Sequence, residues 1–233
     1  MDLPTSVFIT GTDTDCGKTH AACALMCAYK SQGLRVIGFK PVASGSQKVA
    51  GKLINDDVER LTAHANVQLP LEVVNPYIFE PPISPHFAAA QAGEEIQLEK
   101  IVNAYQQCRE AADIVIVEGA GGWRVPLSPT LDIAALATAL NIPTVVVCGL
   151  RLGCINHMRL TCNDISSQGV EISAWVANQI DPHYANLEAT VATISQATSL
   201  PLLATLDFQQ RPEPTAAAHS IDLAQFAPMG ERL

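Results

Sequence analysis

The residues Gly11-Thr12-Asp13-Thr14-Asp15-Cys16-Gly17-Lys18-Thr19 fit G-x-x-x-x-G-K-[ST], a spacing suited to holding a chain of phosphates. Glycine at both ends lets the loop turn its N–H groups inward, and Gly11 and Gly17 are expected to adopt backbone angles that a side chain would forbid. Lys18 is placed to neutralise β- and γ-phosphates, and the Thr19 hydroxyl to hold Mg2+. A second acidic anchor is expected for such a metal. Glu118 supplies one, at the end of the β-rich run Asp113–Val117 and just before Gly119, Gly121 and Gly122. Lys40 closes another short β-rich run, Arg35–Phe39. Parallel strands present ligands at their carboxyl ends, so Lys40 belongs near the phosphates or is a solvated strand end. Asp56 and Asp57 open a helical pattern, as caps or as a metal ligand. Asn178 ends a later strand-like run, and its amide can both donate to and accept from a purine edge.

These residues need a scaffold that brings strand ends together. Ser6–Thr10 reads as a buried strand and residues 21–31 as a helix ended by Gly33. Pro41–Ser46 is a turn-rich loop whose Ser44 either binds substrate or caps a turn. Residues 66–97 are proline-rich and read as an excursion over one edge of the site. Within it, 75–79 holds a short strand, and Ser84 caps a helix that has Pro85 in first position. Further helices are expected from about 98 to 112, from 133 to 140 behind an Asp132 cap, from the Gly153–His157 segment to about 168, and from 184 to 197. Strands are expected over 113–118, 143–149, 171–178 and 202–206. The start of the helix at Gly153-Cys154-Ile155-Asn156 is a second potential anion site. Strand, loop and helix in alternation predict an α/β fold, a single P-loop domain over 1–233 with a mostly parallel sheet and helices on both faces.

Composition narrows the function. The chain has 233 residues, 48% hydrophobic and 16% charged, enough for one large α/β domain. Net charge is −9, with no run of Lys or Arg, which argues against general nucleic-acid binding. No apolar run approaches the ~20 residues that span a bilayer, so no membrane partner is expected. Met1-Asp2-Leu3-Pro4 is not the start of a signal peptide, and a cytoplasmic protein is the default. Seven cysteines without a C-x-x-C pair suggest neither a disulfide framework nor a zinc site; Cys23, Cys27 and Cys148 read as small core residues.

Five stretches in order resemble the dethiobiotin synthetase family of P-loop ligases: Gly11–Thr19, Lys40-Pro41-Val42-Ala43-Ser44-Gly45, Val117-Glu118-Gly119-Ala120-Gly121-Gly122-Trp123, Gly153–His157 and Trp175-Val176-Ala177-Asn178. The resemblance covers the chain to about Asn178 and weakens beyond Pro201. It implies ATP- and Mg2+-dependent joining of CO2 to 7,8-diaminopelargonate, through a carbamate and a carbamic–phosphoric anhydride, with closure of a ureido ring. It implies that Lys18 and the amides of Asp15, Cys16 and Gly17 bind ATP phosphates. Thr19, Asp57 and Glu118 resemble the Mg2+ ligands, and Asn178 the adenine reader. Lys40 and Ser44 resemble contacts to carbamate and substrate, with Thr14 nearby; Lys40, Lys18 and Thr14 are thus the catalytic candidates. Gly153, Cys154, Ile155 and Asn156 resemble a substrate-carboxylate site supplied by the other subunit of a homodimer.

Two rivals are weighed against that reading. A cobyrinic acid amidating ligase carries an extra glutaminase domain, for which 233 residues leave no room. A P-loop ATPase switch of the partitioning or positioning type usually has a second lysine early in the loop, where this chain has Thr12.

Overall fold

The computed structural model describes residues 4–226. The expectation of no signal peptide rests on Met1–Pro4, of which Met1–Leu3 lie outside the described residues. Ten strands are formed among the described residues: β1 (Ser6–Gly11), β2 (Val36–Phe39), β3 (Val42–Ala43), β4 (Gln47–Val49), β5 (Lys52–Ile54), β6 (Tyr77–Ile78), β7 (Ile114–Glu118), β8 (Thr144–Leu150), β9 (Ile172–Gln179) and β10 (Leu202–Leu206). Nine α-helices accompany them among the described residues: α1 (Lys18–Ser31), α2 (Asp56–His64), α3 (Leu71–Val74), α4 (Pro85–Ala92), α5 (Leu98–Ala111), α6 (Ile133–Leu140), α7 (Cys154–Ser167), α8 (Leu187–Thr198) and α9 (Pro214–Ala217).

Six strands make the central sheet in the order β10-β9-β8-β1-β7-β2, every neighbouring pair parallel. β1 lies between β7 and β8, and the chain leaves it for β2 on the far side of β7. Its end is therefore a point where the strand order reverses, the place an open α/β sheet offers a ligand. The carboxyl ends of β1, β2, β7, β9 and β10 share one edge.

Both faces of the sheet are buried, because successive side chains of a strand point to opposite faces. One face carries Phe8, Phe39, Val115, Val117, Val146 and Trp175, covered by Ile101 and Cys108 of α5, Leu136 of α6, Met158 of α7 and Ile194 of α8. The other carries Val7, Ile9, Ile116, Val145, Val147 and Val176, covered by Leu25, Met26 and Tyr29 of α1, Leu61 of α2 and Phe226. Near-continuous apolar strands such as Ile114–Val117 are what this two-sided burial requires. Cys23, Cys27 and Cys148 are in the core, and all seven cysteines are free and buried.

The elements agree with the expected ones to within a few residues, and the differences are local. Asn55, not Asp56 or Asp57, caps α2: its Oδ1 accepts from the amides of Asp57 and Val58. Ser84 stands at the N-cap of α4 with Pro85 in first position, as expected, but its side chain makes no capping bond; its hydroxyl pairs with His86 Nδ1. Asp132 caps α6 as expected, accepting from the Ala135 amide at 2.8 Å. Residues 47–54 form an antiparallel hairpin, β4–β5, turning through Ala50 and Gly51, both at positive φ.

Candidate active site

The P-loop leaves β1 at Gly11 and enters α1 at Lys18. Gly17 has φ +92, an angle that only glycine takes without strain. Gly11 corrects the expectation made for it: its φ is not positive. It is needed for space, since a Cβ there would come within 2.3 Å of Cys16 Sγ. Cys16 thus packs its buried side chain inward beneath the loop. The loop is pinned to the sheet by Thr12 N–H donating to Val147 O, and to the next loop by an Arg151–Asp13 ion pair.

A cleft of about 400 Å3 opens above the strand ends. Thr14, Asp15, Gly17, Lys18, Thr19, Lys40, Asp57, Glu118 and Asn178 all line it. Its floor is a tight polar cluster. Lys40 Nζ donates to Glu118 Oε1 at 2.7 Å, Asp57 Oδ2 at 2.9 Å and Gly119 O at 3.3 Å, which uses all three of its protons. Thr19 Oγ1 lies 2.7 Å from Asp57 Oδ1 and 2.9 Å from Glu118 Oε1, so its one proton serves two carboxylates. Lys18 Nζ donates to Asp13 O at 2.9 Å. Glu118 and Lys40 are buried, whereas Asp56, next to Asp57, is exposed and points to solvent.

Burial alone would lower the Lys40 pKa, but the Glu118 and Asp57 carboxylates outweigh it and hold the ammonium above its ordinary value. For Asp57, burial would raise the pKa; the charge of Lys40 and the bonds from Thr19 and Lys40 overcome this and hold it below the usual carboxylate range. The backbone of Lys40 is fixed as well. Its N–H donates to Val74 O, and buried Asn75 donates to its carbonyl at 2.6 Å. The proline-rich excursion thereby positions the end of β2.

The donor set suits a hard divalent cation. Glu118 Oε2 is buried with no hydrogen-bond partner, beside a hydroxyl and a second carboxylate. Among the described residues no group of three or more His, Cys, Asp or Glu is placed to hold a metal. Two carboxylates and a hydroxyl are nonetheless the complement that Mg2+ takes when phosphates and water complete its shell.

Asn178 has a structural duty. Its Nδ2 donates to Cys16 O at 3.0 Å and sits where a Cβ on Gly17 would fall, 2.0 Å from that position. Six expected residues do not line this cleft: Cys16, Ser44, Gly153, Cys154, Ile155 and Asn156. Gly153–Asn156 opens α7 on the surface, after Leu152, which is 91% exposed.

The sequence reading does not reach several of the lining residues: His20, Arg60, Gln179, Ile180, and Asp207, Phe208, Gln209 and Pro212. Two signals point to them. Arg60 is three residues after Asp57, hence on the same side of α2. Asp207 follows β10, whose carboxyl end reaches the same edge as those of β1 and β9.

Comparisons with known proteins give the family. A family model described as an AAA domain matches residues 5–215. The ATP-dependent dethiobiotin synthetase BioD of Ralstonia nicotianae is 46% identical over 224 residues, covering 96% of this chain and 98% of that protein. The chain belongs to the dethiobiotin synthetase family. Among solved structures, the MinC:MinD cell division protein complex of Aquifex aeolicus matches with a TM-score of 0.59 over 98% of this chain and 97% of that one. At 13% identity that likeness concerns the fold alone, and it lends no weight to a positioning switch. The expected fold class is the observed one, and the cleft lies at its switch point.

Proposed function

We propose that this chain, as one ligase domain over 1–233, is an ATP-dependent dethiobiotin synthetase. It joins CO2 to 7,8-diaminopelargonate and closes a ureido ring, yielding dethiobiotin, ADP and phosphate. The observation that carries the reading is the 46% identity, nearly end to end, with the Ralstonia nicotianae enzyme. The cleft supplies the groups such a reaction needs.

One amine of the substrate adds to CO2, loses a proton and becomes a carbamate. A carbamate oxygen attacks the γ-phosphorus of ATP, giving a carbamic–phosphoric anhydride and ADP. The second amine attacks the carbonyl carbon and expels phosphate. Both partners in the central step are anions, so cations must lie between them, and catalysis is chiefly positioning and neutralisation of charge. Lys18 and the amides of Asp15, Cys16 and Gly17 hold the phosphates. Lys40 faces the carbamate, with Thr14 and Ser44 as further substrate contacts. Thr19, Asp57 and Glu118 would hold Mg2+, which when bound offsets charge on the β- and γ-phosphates. Asn178 stands at the adenine end.

The substrate carboxylate belongs to the Gly153–Asn156 helix start of a second copy, in a homodimer. Two exposed leucines, Leu152 at 91% and Leu160 at 61%, support an interface along this segment. Seven unpaired cysteines suit the reducing cytoplasm to which we assign the protein. Among the described residues no helix is long and apolar enough to cross a membrane. The test is turnover: phosphate release from ATP and Mg2+ that requires both the diamine and bicarbonate supports the reading, and equal release with DNA in place of the diamine overturns it.

A further inference from the structure

Three cations line the cleft: Lys18, Lys40 and Arg60. The two lysines have partners in the protein. Lys40 spends its three protons on Glu118, Asp57 and Gly119, and Lys18 donates to Asp13 O. Arg60 differs. Among the described residues its guanidinium has no hydrogen bond and no ion pair, although Glu59 is its chain neighbour and Asp57 lies one turn before it on α2. An arginine without a protein anion on the wall of a phosphate cleft is placed to take a ligand anion, since its planar fork matches phosphate oxygens two at a time.

A second side chain marks the same wall. His20, in the first turn of α1 directly after Thr19, lines the cleft and is only 6% exposed. Its Nδ1 is buried with no hydrogen-bond partner. The wall thus carries one free guanidinium beside a histidine with an unpartnered buried ring nitrogen, both adjoining the residues proposed to hold the phosphates.

We infer that Arg60 of α2 binds the polyphosphate of the nucleotide, beside His20. The inference rests on the reading of this cleft as an ATP site. It adds a third cation to the two lysines, one that need give up no protein partner to engage the nucleotide.

The experiment is equilibrium binding by calorimetry, without diamine or bicarbonate, on the wild type, Arg60→Gln and Arg60→Lys. The ligands are ATP with Mg2+, tripolyphosphate with Mg2+, and adenosine. Losing a charge-assisted pair of bonds weakens binding at least about tenfold. Arg60→Gln is therefore expected to lose at least about tenfold in affinity for ATP and for tripolyphosphate alike, with adenosine unchanged. Arg60→Lys, which keeps the charge without the fork, should fall between. A thermal melt shows whether each variant is folded, and Arg60→Lys serves if Arg60→Gln is not. Unchanged ATP affinity in a folded variant overturns the inference, and so does a loss seen with ATP or adenosine but not with tripolyphosphate. Because binding is measured without the diamine, a failed turnover assay counts against the proposed substrate and leaves the role of Arg60 to be decided by affinity alone; a wild type that binds no ATP would overturn both.

Discussion

Lys40 is neutralised in the cleft by the two carboxylates proposed to hold the metal, Asp57 and Glu118. One cluster therefore serves folding and chemistry at once. Removing the ammonium leaves Glu118 buried and uncompensated, a loss of roughly 3–5 kcal/mol for a broken buried pair. It also removes a cation from the transition state, worth at least ~10²-fold in rate. Lys40→Ala is thus expected to retain ATP binding, melt at lower temperature and lose turnover by that factor. Adding Glu118→Gln to it should recover stability and not activity. Lys18→Ala should instead lose ATP binding. Titration, melting and turnover on the three variants check this; normal turnover in Lys40→Ala would make the lysine a structural group alone.

Elements explain how much of the site is legible in the sequence. Gly11–Thr19, Lys40, Glu118 and Asn178 stand out because each ends a strand, and in a parallel sheet with one ligand edge strand ends converge. Apolar runs such as Ile114–Val117 reveal the sheet in the same way. The rest depends on packing between elements that no local pattern encodes. The reach of Asp207–Pro212 over the cleft is of this kind, as is the choice of Asn55 over its acidic neighbours as the cap of α2. Gly11 shows the limit within a motif: the glycine is legible and its reason is not, since the crowding atom is Cys16 Sγ. Gly17 gives an element-scale prediction. A Cβ at φ +92 is strained by about 1–3 kcal/mol and must push Asn178 off Cys16 O. Gly17→Ala should lower the melting temperature and weaken ATP binding at least about tenfold, since the anion-binding amides move with the loop. Wild-type affinity in that variant would mean that the loop tolerates the shift.

At the scale of the molecule, the cleft of one chain holds the residues proposed to bind phosphate but not the Gly153–Asn156 helix start. If that segment serves the site of a second copy, two inactive variants can complement each other. Lys18→Ala and Gly153→Glu, unfolded, mixed equally and refolded, should pair at random, giving about half heterodimers. Each heterodimer has one site with both lesions and one with neither, so activity should return to about a quarter of wild type. Parents refolded alone should stay inactive. A mixture as inactive as its parents, with heterodimers shown to be present, would assign each site to a single chain.

The central claim is that ATP is consumed to close a ring around a carbon taken from CO2. The most direct measurement supplies 7,8-diaminopelargonate, ATP, Mg2+ and 13C-labelled bicarbonate, and follows phosphate together with product mass. The expected result is dethiobiotin carrying one labelled carbon, formed one for one with phosphate, and no phosphate above background when either the diamine or bicarbonate is withheld. Phosphate released at the same rate without the diamine, or without any labelled product, would contradict it.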